Sequence, residues 1–297
     1  MGADLRSWFN STSATRRGRV YWIKVHKTMK FDEKLYQVDF LVYSAHKTGT
    51  QTVSSTLRLN GVPCIHCHSI QNYTVGIDKG LFADFLKSYY MRNGKKLAII
   101  TVFREPLERH ISSFFQWHGH GEIVSGNVTD VASTIIQTKS ISDLQGLFIK
   151  EIREQTLIGR RESIYEFCHE LDLHVSDLDY NSTKDYGFVE TAYCCIYLLR
   201  FDTLFSEGGV EKLFSRILGR PISKYDANRS MDKWYRDIWL EFKSSLSIPL
   251  DVINTVYESR RSLIELFYYN QYDCLLLRAF NRFARPVSVA EELAKFD

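Results

Sequence analysis

The chain reads as an α/β protein: a parallel β-sheet with helices on both faces, followed by a mainly helical C-terminal part. Three observations predict this. Strand-like and helix-like segments alternate from residue 38 onward, the pattern of a parallel sheet whose crossovers are helices. Two apolar runs, LAIITVF at 97–103 and YCCIYLLRF at 193–201, have no polar face, as expected of strands buried on both sides. A short Gly-containing loop, Ser44-Ala45-His46-Lys47-Thr48-Gly49-Thr50-Gln51-Thr52, joins the first strand to the first helix.

Residues 1–35 form a polar lead-in with Arg16, Arg17 and Arg19 clustered and one amphipathic piece over 20–25. Residues 36–297 form one domain, since no repeat, low-complexity stretch or linker divides them. An apolar and aromatic run predicts a strand over 38–43. A helix over 50–60 ends at Asn60-Gly61, a C-terminal stop. A second strand covers 62–67, and a helix over 81–92 ends at Asn93-Gly94. After the strand at 97–103 a helix runs over 106–117, with Pro106 in its first turn. Residues 125–171 read as two or three helices. The strand at 193–201 precedes a helix over 209–218, closed by Gly219, and the chain from Met231 onward is helical and rich in aromatics.

The 297 residues are 44% hydrophobic and 25% charged, ordinary for a globular protein with a sizeable core. A net charge of +3 suits an anionic ligand but is too small to imply nucleic-acid binding. No apolar stretch reaches membrane-spanning length, and 1–19 lacks the apolar core of a signal peptide, so a cytoplasmic protein is expected. The six cysteines form no regular framework and read as reduced thiols. Arg6 in place of Ser or Thr argues against myristoylation at Gly2, and the Asn-x-Ser/Thr sites at Asn10, Asn72, Asn127, Asn181 and Asn228 carry little meaning without export.

A strand, a tight loop and a helix start make an anion cradle, because first-turn N–H groups and the helix dipole favour negative charge. Lys47 adds a full charge; Thr48, Thr50 and Thr52 add hydroxyls, and Gly49 and Gln51 complete the loop. The loop is P-loop-like, yet Lys47 precedes Gly49 and no Gly-Lys-Ser/Thr follows. The run LAIITVF ends in Arg104, where a phosphoryl-transfer enzyme would place a metal-binding Asp. Magnesium-dependent phosphoryl transfer is therefore disfavoured, and no metal is expected. An Arg at the C-terminal end of a buried strand reaches the crevice where open α/β sheets bind ligands and can grip a phosphate bidentately, unless a salt bridge to Glu105 or Glu108 claims it. Ser112, two turns up the next helix, can donate to the same anion. Two anion sites on neighbouring strand ends suit a nucleoside phosphorylated at both ends.

SAHKTGTQT followed by FREPLERHISSFF resembles the sulfotransferases that use 3′-phosphoadenosine 5′-phosphosulfate, and the FREPLER wording is closest to the carbohydrate sulfotransferases. Tyr197-Leu198-Leu199-Arg200-Phe201-Asp202-Thr203-Leu204 looks like the late strand and turn of that family. Asp232-Lys233-Trp234-Tyr235-Arg236 resembles the bacterial capsular-polysaccharide synthesis group, which usually has Asn and Ser where this chain has Asp232 and Arg236. The resemblance is scattered over most of the chain. It implies the sulfotransferase fold and transfer of a sulfuryl group to a carbohydrate hydroxyl, with phosphoadenosine phosphate as product. It implies that the first loop holds the 5′-phosphosulfate and that Arg104 and Ser112 hold the 3′-phosphate. The expected partner is a glycan or polysaccharide acceptor, with peripheral association with polysaccharide assembly machinery. A P-loop nucleotide kinase and a non-catalytic nucleotide- or glycan-binding relative are the alternatives.

Sulfuryl transfer requires stabilisation of the departing phosphate, a role for Lys47, and a base for the acceptor proton. His68 is the first candidate and His66 the second, both at the end of the second strand; the competing reading is a hydrogen-bonded structural histidine, which weighs more for His66 than for His68. His46 could be a third anion contact, while His110, His118 and His120 are expected at the surface, although His118-Gly119-His120 could border the acceptor cleft. Cys64-Ile65-His66-Cys67-His68 formally matches a haem-attachment pattern or half a zinc site, but small buried thiols explain it more simply. Asn228, Arg229 and Lys233 could close over the nucleotide. Trp234 and Tyr235 could stack on a ring or belong to the core.

Overall fold

A computed structural model describes residues 31–68, 81–119, 123–124, 127–128, 131–155, 162–225, 233–269 and 271–284. In chain order the elements are β1 (Phe40–Tyr43), α1 (Thr50–Leu59), β2 (Cys64–Cys67), α2 (Leu81–Asn93), β3 (Leu97–Phe103) and α3 (Pro106–Gly119). A two-stranded ribbon, β4 (Ile123–Val124) and β5 (Asn127–Val128), leads to α4 (Val131–Thr138), α5 (Ile141–Arg153) and α6 (Ser163–Glu170). Then come β6 (Tyr180–Asn181), β7 (Tyr186–Glu190), β8 (Cys194–Arg200), α7 (Phe201–Leu204) and α8 (Gly209–Leu218). The chain closes with α9 (Arg236–Ser245), α10 (Leu250–Glu258), α11 (Arg261–Tyr268) and α12 (Tyr272–Phe283).

The main sheet has six strands in the order β2-β1-β3-β8-β7-β6. The pairs β1–β2, β1–β3 and β3–β8 are parallel, as the alternation predicts. The expectation of a wholly parallel sheet needs correction: β7 runs antiparallel to β8, and β6 antiparallel to β7. These two strands form a hairpin, which needs no helical crossover and so escapes a reading based on strand–helix alternation. Gly187 lets the hairpin close, since a Cβ there would lie 2.1 Å from the Asp179 carbonyl.

Alternation along the central strands builds two cores. Leu41, Tyr43, Leu97, Ile99, Phe103, Ile196 and Leu198 face α2, α3 and the C-terminal helices. Phe40, Val42, Ile100, Val102 and Leu199 face α1, α7 and α8. Phe103 stacks on Phe267 at 4.8 Å, and Phe115 meets Phe242 edge-on at 5.0 Å. Each such buried ring contributes roughly 1.5–3 kcal/mol. The lead-in over 1–30 lies outside the described residues, but Glu33–Gln37 forms a 3-10 turn whose Leu35 is buried in the larger core.

From β1 the chain passes through α1 to β2 on one side and through α2 to β3 on the other. The strand order therefore reverses between β1 and β3. A crevice opens outside the carboxyl ends of strands at such a point, and ligands of open α/β sheets bind there. The segments leaving β1 and β3, with Lys47 and Arg104, flank it.

Candidate functional site

Ser44 fixes the base of the loop after β1. Its Oγ donates to the Val102 carbonyl at 2.9 Å and accepts from the Val102 N–H at 3.0 Å, extending the β1–β3 pairing past its last ladder bond. Thr48 Oγ1 lies 2.8 Å from Ser44 Oγ and donates to the Ala45 carbonyl at 2.7 Å. The Thr48 hydroxyl, expected among the ligand donors, is thus engaged inside the loop. The sharp turn requires left-handed backbone at two positions, Lys47 with φ 67° and Gly49 with φ 77°. Gly49 suits this, whereas Lys47 is a strained exception. Gly49 is the N-cap of α1, where no side chain caps the N–H groups and no acidic residue occupies the first turn. Thr50 and Thr52 in that turn are buried, and Gln51 is exposed. The cap geometry leaves positive dipole potential facing the crevice.

Three cations converge there. Lys47 is drawn down to about 8 by burial first, then by the charges of Lys233 and Arg104. No carboxylate pairs with Lys47 among the described residues. Arg104 donates from Nη1 to the Lys47 carbonyl at 2.9 Å, and its guanidinium lies 4.3 Å from the centre of the Phe201 ring. Glu108 is its acidic neighbour but stands 3.9 Å away, held by Lys243 and by Arg282, each at 2.8 Å. Arg104 thus keeps a long ion pair to Glu108, a carboxylate it shares with Lys243 and Arg282. Ser112 lies one turn beyond Glu108 on the same helix face, and its hydroxyl makes no hydrogen bond among the described residues.

Glu105 sets where α3 begins. Its carboxylate accepts from the N–H groups of Leu107 at 3.0 Å and Glu108 at 2.7 Å, and from the Tyr257 hydroxyl. Burial pushes this carboxyl up, while those hydrogen bonds hold it back. Arg109 is 1% exposed and pairs with Glu162, which also accepts from Arg260 at 3.0 Å.

On the β2 side the imidazoles of His46 and His68 lie 3.7 Å apart, and His66 meets His68 edge-on at 5.8 Å. His68 Nδ1 is 2.7 Å from the Ser44 carbonyl. A carbonyl accepts, so Nδ1 carries the proton and Nε2 presents its lone pair. Burial lowers His68, and lowers His66 with help from the charge on His68. His46, part of whose ring meets solvent, is lowered by desolvation, then by His68, Arg109 and Lys47.

Other expectations resolve differently. His110 and His118, assigned to the surface, are buried at 8% and 6% exposure, because α3 packs against both α4 and α10. His118 lies 2.7 Å from Glu151 Oε1. His120, Asn228, Arg229 and Asp232 lie outside the described residues. Tyr235 belongs to the core against Phe115, whereas Trp234 is 49% exposed and donates from Nε1 to the Gly119 carbonyl at 3.2 Å. Cys64 Sγ donates to the Ser54 carbonyl at 3.2 Å, and burial pushes the Cys67 thiol up to about 12. Among the described residues no group of three His, Cys, Asp or Glu could hold a metal ion, and no helix is long and apolar enough to cross a membrane.

Sequence reading missed the aromatic floor of the site. Phe201 and Phe205, 4.5 Å apart, lie beneath Arg104 and Gly49. The apolar run ending at 201 signals a strand end, but nothing in the sequence says which loop those rings meet. No known family's model matches the chain, and neither a curated protein nor a solved structure matches it.

Proposed function

We propose that the chain is a metal-independent sulfotransferase that moves a sulfuryl group from 3′-phosphoadenosine 5′-phosphosulfate to a carbohydrate hydroxyl. A glycan or polysaccharide acceptor in capsule or surface-polysaccharide synthesis is what the sequence resemblance implies, and a cytoplasmic site of action is proposed from the cysteine usage and the absence of a signal-peptide pattern in the sequence. The observation that carries the reading is the convergence of Lys47, Arg104 and Lys233 on an uncapped helix start, where Glu108, 3.9 Å from Arg104, is shared with Lys243 and Arg282. Such a crevice favours a multiply anionic ligand. The single P-loop-like turn, without Gly-Lys-Ser/Thr, weighs against a nucleotide kinase.

In this reading the acceptor oxygen attacks sulfur as the bond from sulfur to the bridging phosphate oxygen breaks. The electron pair goes to the departing 5′-phosphate, where Lys47 and the first-turn N–H groups of α1 stabilise it. His68 Nε2 takes the acceptor proton, with Nδ1–H anchored on the Ser44 carbonyl. His66 stands behind as the second candidate. Arg104 and Ser112 hold the 3′-phosphate, and Lys233, whose charge acts on Lys47, adds to the positive field. Asn228 and Arg229 remain candidates for closing over the nucleotide.

Calorimetry of the full chain tests the reading. Phosphoadenosine phosphate is expected to bind in the absence of magnesium, at least about 100-fold tighter than ATP. Arg104→Ala is expected to remove that preference. Equal binding of both nucleotides, indifferent to Arg104, overturns the reading.

A further inference from the structure

The β3–β8 register places Arg200 opposite Phe103, so Arg104 and Phe201 leave the sheet side by side. Phe201 sits under the Arg104 guanidinium at 4.3 Å from the ring centre. Phe205 follows one turn later with its ring 4.5 Å from that of Phe201. A Cβ built on Gly49 would lie 2.3 Å from Phe205 Cζ and 3.4 Å from Phe201 Cε2, so the loop backbone rests directly on these rings. The carboxylate that could have oriented Arg104, Glu108, is taken by Lys243 and Arg282.

We infer that Phe201 and Phe205 are positioning residues with separate tasks. Phe201 aims Arg104 at the ligand's second phosphate, and Phe205 holds Gly49 and the start of α1 in their anion-presenting shape. A carboxylate would occupy the N–H fork and cancel its charge. An aromatic ring holds a guanidinium by its face, leaving for the ligand the in-plane donors that the Lys47 carbonyl does not take. A short aromatic helix at the end of β8 thereby sets selectivity for a nucleotide phosphorylated at both ends. This inference rests on the nucleotide reading above.

The test is calorimetry of the full chain with two probes, 3′-phosphoadenosine 5′-phosphate and 5′-AMP, alongside thermal melting. In the wild type the bisphosphate is expected to bind more tightly. Phe201→Leu reduces that preference about tenfold while 5′-AMP affinity stays within about twofold. Phe201→Tyr, which keeps the ring face, retains the preference. Phe205→Leu weakens both nucleotides by a similar factor, because the loop serves the phosphate they share. Phe201→Met carries the same test if the leucine variant fails to fold. An undiminished preference in a folded Phe201→Leu or Phe201→Met overturns the inference, as does an equal loss of both nucleotides. A wild-type chain that binds neither probe overturns the nucleotide reading and this inference with it. Wild-type preference that survives loss of the Phe201 ring sinks this inference alone.

Discussion

Arg104 and Arg109 stand little more than one helical turn apart, and their surroundings are opposite. Arg109 is buried against Glu162, which Arg260 also contacts, with Glu105 nearby under the Tyr257 hydroxyl. Arg104 has a carbonyl, an aromatic face and a carboxylate diverted to two other cations. The first arginine is paired with a buried carboxylate that it shares with Arg260 and acts as a structural pin between α3, α6 and the α10–α11 turn. The second has only a distant, shared carboxylate and sits at the end of β3 beside the loop that carries Lys47. Residue type says little about either role; the local balance of charge decides it.

Removing the pin has the largest expected effect. Arg109→Ala leaves Glu162 buried with one partner fewer, and a loss of about 3 kcal/mol is expected in urea unfolding. Arg104→Ala is expected to shift the same curve by under about 1 kcal/mol. Equal losses in both variants would erase the contrast. Lys47→Ala is expected to lower kcat roughly 100-fold in a sulfuryl-transfer assay, with nucleotide affinity nearly retained. Unchanged turnover would remove Lys47 from the chemistry. Gly49→Ala forces a Cβ into left-handed backbone and into the Phe205 ring. A cost of about 2 kcal/mol, read from thermal melts, is expected.

The smallest effect separates the cations by pH. Lys47 in the free protein sits at about 8. Below that value it is protonated and nucleotide affinity is at its plateau. As pH rises through it the free protein sheds that proton, so affinity falls by a small factor, no larger than the loss in Lys47→Ala. Lys47→Arg, which does not titrate there, is expected to flatten the fall. A wild-type affinity that stays level up to about pH 9.5 would mean that Lys47 does not face the anion.

Much of the frame was legible because local signals coincided with tertiary ones. LAIITVF occupies β3 from end to end, and Gly208 and Gly219 bound α8 as left-handed caps. The β6–β7 hairpin was not legible: its strands are short and carry Tyr, Asn, Gly and Glu, and pairing with β8 defines them more than any pattern of their own. The buried histidines of α3 were misplaced because a polar residue on an apparent outer face gives no sign that α4 and α10 cover it. In the site, the loop, Lys47 and Arg104 announced themselves by their position after strands. The roles of Phe201 and Phe205, the diversion of Glu108 and the anchoring of His68 depend on residues far apart in sequence.

Ser44 ties three strand ends of the site together. Its N–H reaches the Cys67 carbonyl at 3.4 Å, its carbonyl receives His68, and its hydroxyl bridges to Val102. The ends of β2, β1 and β3 are thereby locked into one rigid block. The distance between the lysine and arginine stations is then set by the sheet spacing and not by loop flexibility. The crevice works as a fixed caliper, measuring the separation of two anionic groups and rejecting ligands whose charges fall at another span.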